Sequence, residues 1–162
     1  MPDATDAEVL DQWRIATLLS RYYQAIDVAD WDALDRDVLA DDARCEVVQR
    51  STKGTVTNGA EGRAEVVAWF RQMVSGEVSM SEGIVRHFLG THVIDVRGDT
   101  ATSRSHLQAQ DMVTLGILAN GIVDAEHVRT ERGWRVRRFR VEESITDADM
   151  EAFRTTFGLE FD

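Results

Sequence analysis

The sequence predicts one α+β domain over residues 1–162, with three N-terminal helices on one face of a strongly curved sheet, mixed but mainly antiparallel. Three observations carry that expectation. Up to Val74 the apolar residues recur mainly at three- and four-residue steps, the period of a helix. From Val85 the period becomes two, in long runs separated by Gly-containing turns. No repeat, low-complexity stretch or Pro/Gly/Ser linker divides the chain, whose only proline is Pro2.

Taken in order, Thr5 or Asp6 caps the first helix and Glu8 supports its first turn. Val9, Leu10, Trp13, Ala16, Leu19, Tyr23 and Ile26 form its apolar stripe, which ends near Val28. Asp30 caps a short second helix, Trp31 to Leu39, with Leu34 and Val38 inward. Ala43 to Gln49 reads as a short strand, Lys53 to Asn58 as its hairpin return, and Asn58-Gly59 as a turn signal. A third helix spans Arg63 to Val74 on Val66, Val67, Trp69, Phe70 and Met73, and Gly76 to Gly83 reads as a polar loop. Four long strands follow: Val85 to Val96, Thr100 to Thr114, Ile117 to Thr130 and Trp134 to Glu142. The segments between them, Arg97-Gly98-Asp99, Leu115-Gly116 and Glu131-Arg132-Gly133, are compatible with hairpins. Thr146 or Asp147 then caps a terminal helix or extension containing Met150, Phe153 and Phe157.

Composition narrows the function classes. At 43% hydrophobic and 29% charged the chain has an ordinary globular balance. Its length buries enough surface to fold without a disulfide or structural metal. The single Cys45 excludes an intramolecular disulfide and any Cys-rich metal site. The start MPDATDAEVLDQW has neither a basic n-region nor an apolar h-region, and no apolar run approaches the roughly 18 residues of a membrane span. A cytoplasmic location without membrane contact is the expectation. Net charge is −11, from 29 acidic against 18 basic residues, which argues against nucleic acid as a partner. The basic stretch Arg129 to Arg140 alternates with Trp134, Val136 and Phe139 and reads as the solvated face of a strand.

Among residues able to carry chemistry, Asp27 stands one step beyond Ile26 and four beyond Tyr23. Helix C-termini favour cations, so an acid there beside an apolar stripe is unusual; a solvated helix-end carboxylate is the plain alternative. His87 shares parity with Val85, Leu89, Thr91 and Val93, while Arg86 points the other way. A histidine among apolar neighbours reads either as a packed core residue or as a catalyst, and spacing does not decide. His106 falls on the opposite face with Arg104, Gln108 and Gln110, and His92 opposes His87 in parity unless a bulge intervenes. His127, in step with Gly121, Val123 and Ala125, reads as facing a pocket near its rim. No H-x-H or H-x-x-x-H spacing supports a metal site, and no G-x-S-x-G, P-loop or G-x-G-x-x-G occurs. Cys45 has no sequence neighbour that would lower its pKa, so it reads as a small pocket-lining residue.

The run Ile15-Ala16-Thr17-Leu18-Leu19-Ser20-Arg21-Tyr22-Tyr23-Gln24-Ala25-Ile26-Asp27, followed by Asp30-Trp31-Asp32-Ala33-Leu34, resembles the opening of SnoaL-like proteins. Arg86-His87-Phe88-Leu89-Gly90, Gly98-Asp99-Thr100-Ala101 and Gly133-Trp134-Arg135-Val136 follow in matching order, over nearly the whole chain. The resemblance implies a cone of the cystatin-like or nuclear-transport-factor type closed over one pocket. The most similar branch holds scytalone dehydratase and γ-hexachlorocyclohexane dehydrochlorinase, which pair an aspartate at the end of the first helix with a histidine on the first long strand. Those positions match Asp27 and His87.

The departures from that branch are as informative. The pocket tyrosines of scytalone dehydratase correspond to Ile26 and Val47, its second catalytic histidine to Asp111, and its serine and asparagine to Val123 and Ala125. The apparatus that polarises a carbonyl through tyrosine-held water is therefore missing, and scytalone is not the expected substrate. Asp111, in step with Ser105, Leu107 and Ala109, would put a second carboxylate in an apolar pocket whose other expected walls are Tyr23, Trp31, Cys45, Val47, Leu107, Val123 and His127. The resemblance then implies a lyase or isomerase needing no cofactor and acting on a small apolar substrate. His87 would be the general base, Asp27 would fix its tautomer, and Asp111, kept protonated, would donate to a developing oxyanion or leaving group. Two other readings share the fold: a polyketide-type cyclase, and a non-catalytic ligand-binding or structural subunit such as the small subunit of ring-hydroxylating dioxygenases. The outward set Arg104, His106, Gln108, Gln110 and Met112 is mixed rather than strongly charged and, with the family habit, points to a homodimer or homotrimer.

Overall fold

Strand parity and helix capping dictate most of the architecture, seen here in a computed structural model that describes residues 4–74 and 85–162. Helix α1 (Asp6–Asp27) opens on a capping box. The Thr5 hydroxyl accepts the Glu8 amide at 3.3 Å, and the Glu8 carboxylate accepts the Thr5 amide at 2.7 Å. Asp30 caps α2 (Trp31–Ala33) by accepting the Ala33 amide, and the chain continues as a five-residue π-helical turn, Leu34–Val38. There follow β1 (Leu39–Ser51), β2 (Gly54–Glu61), α3 (Arg63–Val74), β3 (Val85–Arg97), β4 (Thr100–Asp111), β5 (Ile117–Thr130), β6 (Gly133–Ile145) and α4 (Asp147–Phe157).

The six strands form one sheet in the order β2-β1-β6-β5-β4-β3. Among the described strands only β1 and β6 run parallel, and that pair joins the early hairpin to the later meander. The class is α+β with a mixed, mainly antiparallel sheet, as the sequence predicts, and among the described residues the expected terminal segment forms a fourth α-helix. Ile15, Leu19 and Tyr22 of α1 are fully buried, with Tyr22 stacked on Phe139 of β6 at 4.1 Å between centroids. A second cluster gathers Met150 and Phe153 of α4 with Val56, Ala109, Ala119 and Ile145, so the C-terminal helix packs on the sheet as well.

The structure departs from the sequence reading in several places. The expected stripe of α1 is wrong in its first half: Val9, Leu10 and Trp13 are 52%, 45% and 65% exposed, whereas Asp11 is buried. Asp11 accepts from the Arg129 guanidinium and from the Trp134 indole N–H at 3.0 Å, so partners more than a hundred residues away turn a polar face inward. Asn58-Gly59 is not a turn but lies inside β2, opposite Val47 and Glu46. A Cβ on Gly59 would fall 2.1 Å from the Cys45 carbonyl oxygen, so the glycine answers a close approach of strands. A bulge follows Gly90: the register passes from Gly90↔His106 to Val93↔Arg104, with Thr91 at φ 52°. Parity inverts there, leaving Val93 exposed and turning His92 toward Ser105, whose hydroxyl lies 2.7 Å from its Nδ1. Finally, β4 stops at Asp111 rather than Thr114, and β6 runs on to Ile145. The expected loop from Gly76 to Gly83 lies outside the described residues.

Candidate active site

Helix α1 ends against the start of β3, and its last residue points a carboxylate at that strand. Both Asp27 oxygens go to one residue: Oδ1 lies 2.6 Å from His87 Nδ1, and Oδ2 accepts the His87 backbone N–H at 3.1 Å. The Asp27 side chain is 8% exposed and that of His87 22%. One helical turn earlier, Tyr23 stacks on the imidazole at 4.8 Å between centroids, with 27° between planes. Arg86 Nη1 donates to the Asp27 main-chain carbonyl at 3.0 Å, so a strand supplies the cation that the last turn of α1 lacks. A carboxylate can only accept, so Nδ1 carries the hydrogen, and in the neutral imidazole Nε2 is then the nitrogen with the lone pair.

This pair borders a cavity of about 360 Å³. Tyr23, Ile26, Val47, Trp69, Phe70, Met73, Leu107, Ala109, Phe139, Val141 and Phe153 make its apolar walls, with Asp27, Arg86, His87 and Glu143 as its charged or titratable groups. Of the expected site residues, Asp27, His87, Tyr23, Val47 and Leu107 therefore meet in one place.

The others stand elsewhere. Asp111 ends β4 and folds onto the following turn, where its Oδ1 accepts the Val113 and Thr114 amides at 2.7 and 3.2 Å. Those backbone hydrogen bonds, Val113 first, hold its carboxyl below the usual range, the opposite of a protonated donor. Asp111 is a turn cap and is not among the cavity walls. Cys45 and Val123 are buried in the main core and Trp31 packs partly buried against it, and none of the three lines the cavity. The Cys45 thiol, 3.7 Å from the Tyr22 hydroxyl, is pushed up to about 12 by burial, so it is no nucleophile. Among the described residues no cluster of three or more His, Cys, Asp and Glu forms a metal-binding group.

His127 is likewise a core residue and not a rim residue. It is 1% exposed, its Nε2 lies 2.8 Å from Ser103 Oγ, and its Nδ1 has no partner among the described residues. Burial depresses its pKa to about 4 from an ordinary 6.5. The imidazole is therefore neutral in the fold, and below pH 6.5 the unfolded chain takes up the proton first. The stability tied to His127 is fully present above pH 6.5 and drains away as pH falls toward about 4. Urea unfolding of His127→Gln across that window should show a flatter pH dependence than the parent; parallel curves would contradict the assignment.

Glu143 is a pocket residue that the sequence reading missed, as is Arg86, which that reading turned away from His87's face. Glu143 lies on β6 two residues beyond Val141, in register with Gln49 of β1, whose side-chain amide donates to its Oε1 at 2.8 Å. Burial pushes its carboxyl up. The available signal was parity: Phe139 and Val141 face inward, so a strand continued past Glu142 brings Glu143 in next.

A family model described as a SnoaL-like domain matches residues 7–140. An uncharacterised protein of Mycobacterium tuberculosis is 34% identical over 141 residues, covering 84% of this chain and 86% of that protein. Among solved structures, an NTF2-like protein with a cystatin-like fold from Novosphingobium aromaticivorans is 26% identical with a TM-score of 0.61, over 96% of this chain and 97% of that one. A second protein of that organism, named "Putative Scytalone Dehydratase", has a TM-score of 0.67 at 18% identity, covering 88% and 89% of the two chains. At that identity the likeness speaks for the fold.

Proposed function

The chain belongs to the SnoaL-like domain family, and from that premise we propose that it is a cofactor-independent lyase or isomerase that removes a proton from carbon in a small, mainly apolar substrate. The carrying observation is the 2.6 Å contact between Asp27 and His87 on the wall of a largely apolar cavity. Asp27 holds the Nδ1 hydrogen, leaving Nε2 to take the substrate's proton, and its charge then stabilises the imidazolium. An apolar surround strengthens that attraction relative to water. A cavity of about 360 Å³ suits a mono- or bicyclic molecule. Elimination is the favoured reaction class, supported by the dehydratase name of one structural relative.

The test is proton exchange at carbon, which needs no knowledge of the natural product. A panel of small cyclic ketones and alcohols is incubated with the protein in heavy water and followed by mass spectrometry. The expected result is deuterium gain at one carbon of at least one compound, reduced to the buffer rate by His87→Gln. Exchange that survives His87→Gln undiminished, or a panel that never exchanges, would count against the reading.

A further inference from the structure

Proton abstraction by His87 leaves unused a carboxyl that lines the same pocket. Glu143 shares its wall with Val47, Leu107, Val141 and Phe153, and among the described residues no lysine or arginine pairs with it. Its partner is the fully buried Gln49, an amide rather than a cation. The strand opposite makes room for it: Gly121 faces Glu143, and a Cβ there would lie 2.9 Å from the Glu143 Cβ and 2.4 Å from the Glu142 carbonyl oxygen. A carboxyl removed from water without a countercharge favours its neutral form, and burial is the main influence raising this one. A proton on His87 acts the other way and makes Glu143 more acidic. The base and this carboxyl line the same pocket. Two further buried donors in the pocket wall, the Tyr23 hydroxyl and the Trp69 indole N–H, have no partner among the described residues. Buried donors left unpaired on residues that line an apolar cavity favour an occupant that carries an acceptor.

We propose that Glu143 is the acid partner of His87, positioned by Gln49, and that it gives its proton to a hydroxyl leaving group, so that the substrate is an alcohol losing water and not a halide. This rests on the proton-transfer reading above and deepens it. In the step, His87 Nε2 takes a proton from one carbon, and the electron pair of that C–H bond becomes the new C=C bond. The C–O bond on the adjacent carbon breaks, its electron pair stays with oxygen, and that oxygen takes the Glu143 proton and leaves as water. The imidazolium proton then returns to the carboxylate through solvent, restoring both groups. As His87 becomes charged it raises the acidity of Glu143, so the two transfers favour one another. A departing halide would need no such proton.

The test uses 2-tetralol and tetralin, the same carbon skeleton with and without a hydroxyl, and needs no turnover. Dissociation constants are measured for the parent protein, Glu143→Gln and Glu143→Leu, with melting temperatures to confirm folding. The parent should prefer the alcohol by on the order of tenfold, about one hydrogen bond. Glu143→Leu should lose that preference without weakening tetralin, and the isosteric Glu143→Gln should retain part of it. Infrared difference spectra at neutral pH should show a protonated-carboxyl band that disappears in Glu143→Gln and shifts with 2-tetralol but not with tetralin. A parent that binds neither compound or both equally, a missing band, a band indifferent to the alcohol, or a preference kept in Glu143→Leu would each overturn the assignment. Carbon exchange by His87 is read separately, so the failure of one proposal does not imitate failure of the other.

Discussion

His87→Gln should cost at least about 10²–10⁴-fold in turnover or carbon exchange while leaving the protein folded. Asp27→Asn should do nearly the same, for a reason visible in the hydrogen bonds. Asp27 uses one oxygen for the His87 ring and the other for the His87 amide, and both must accept. An asparagine offers one oxygen and one amino group. If the amino group faces the backbone N–H, two donors collide. If it faces the ring, it donates to Nδ1, the hydrogen moves to Nε2, and the base loses its lone pair. Neither arrangement keeps the charge that steadies an imidazolium. The double variant should therefore be little worse than either single one, because the two residues act as a unit. Melting temperature and turnover measured side by side separate this from a structural role, which would show as lost stability with the rate intact.

Asp11→Ala should destabilise the fold by roughly 2–3 kcal/mol and lower the melting temperature by roughly 5–10 °C. The carboxylate joins α1 to β5 and β6 through Arg129 and Trp134, with Arg14 adding a third contact at 3.2 Å. Arg129 keeps Asp99 as a second partner at 3.0 Å, which tempers the loss. The Arg129 guanidinium, and after it the Trp134 N–H, hold the Asp11 carboxyl well below the usual carboxylate range. A depressed acid stabilises the fold fully above its unfolded pKa of about 3.9, and that contribution is lost as pH falls further. Urea titrations at pH 7 and pH 3 should show the gap between parent and variant narrowing in acid. An equal gap at both pH values would assign the effect to packing instead.

What the sequence revealed follows the range of the interactions involved. Thr5, Asp30 and Thr146 are local caps whose partners lie three residues away, and each caps the helix expected of it. The parity of β4 and of the middle of β5 was legible because buried and outward positions alternate there residue by residue. The inward turn of Asp11 was not, since its partners arrive from positions 129 and 134. Glu143 stayed hidden because the last expected strand ends at Glu142, one residue short, and only pairing with the parallel neighbour β1 extends it further. The same error in reverse misplaced Asp111: a strand drawn three residues too long carried a turn cap into the pocket. The bulge at Thr91 left only the hint of a preceding glycine, yet it decides which residues of β3 face the core.

The Tyr23 ring lying against the His87 imidazole has a stereochemical consequence. Tyr23 covers one face of the imidazole and Asp27 occupies its Nδ1 edge, both from one turn of α1. His87 lines the cavity, so the edge left for a substrate is that of Nε2, on a ring held by two contacts. A methylene group carries two hydrogens that are mirror-related until a chiral surface meets them. A base so framed would remove one and spare the other, so a substrate labelled with deuterium at either position should give products that keep or lose the label according to which hydrogen was replaced.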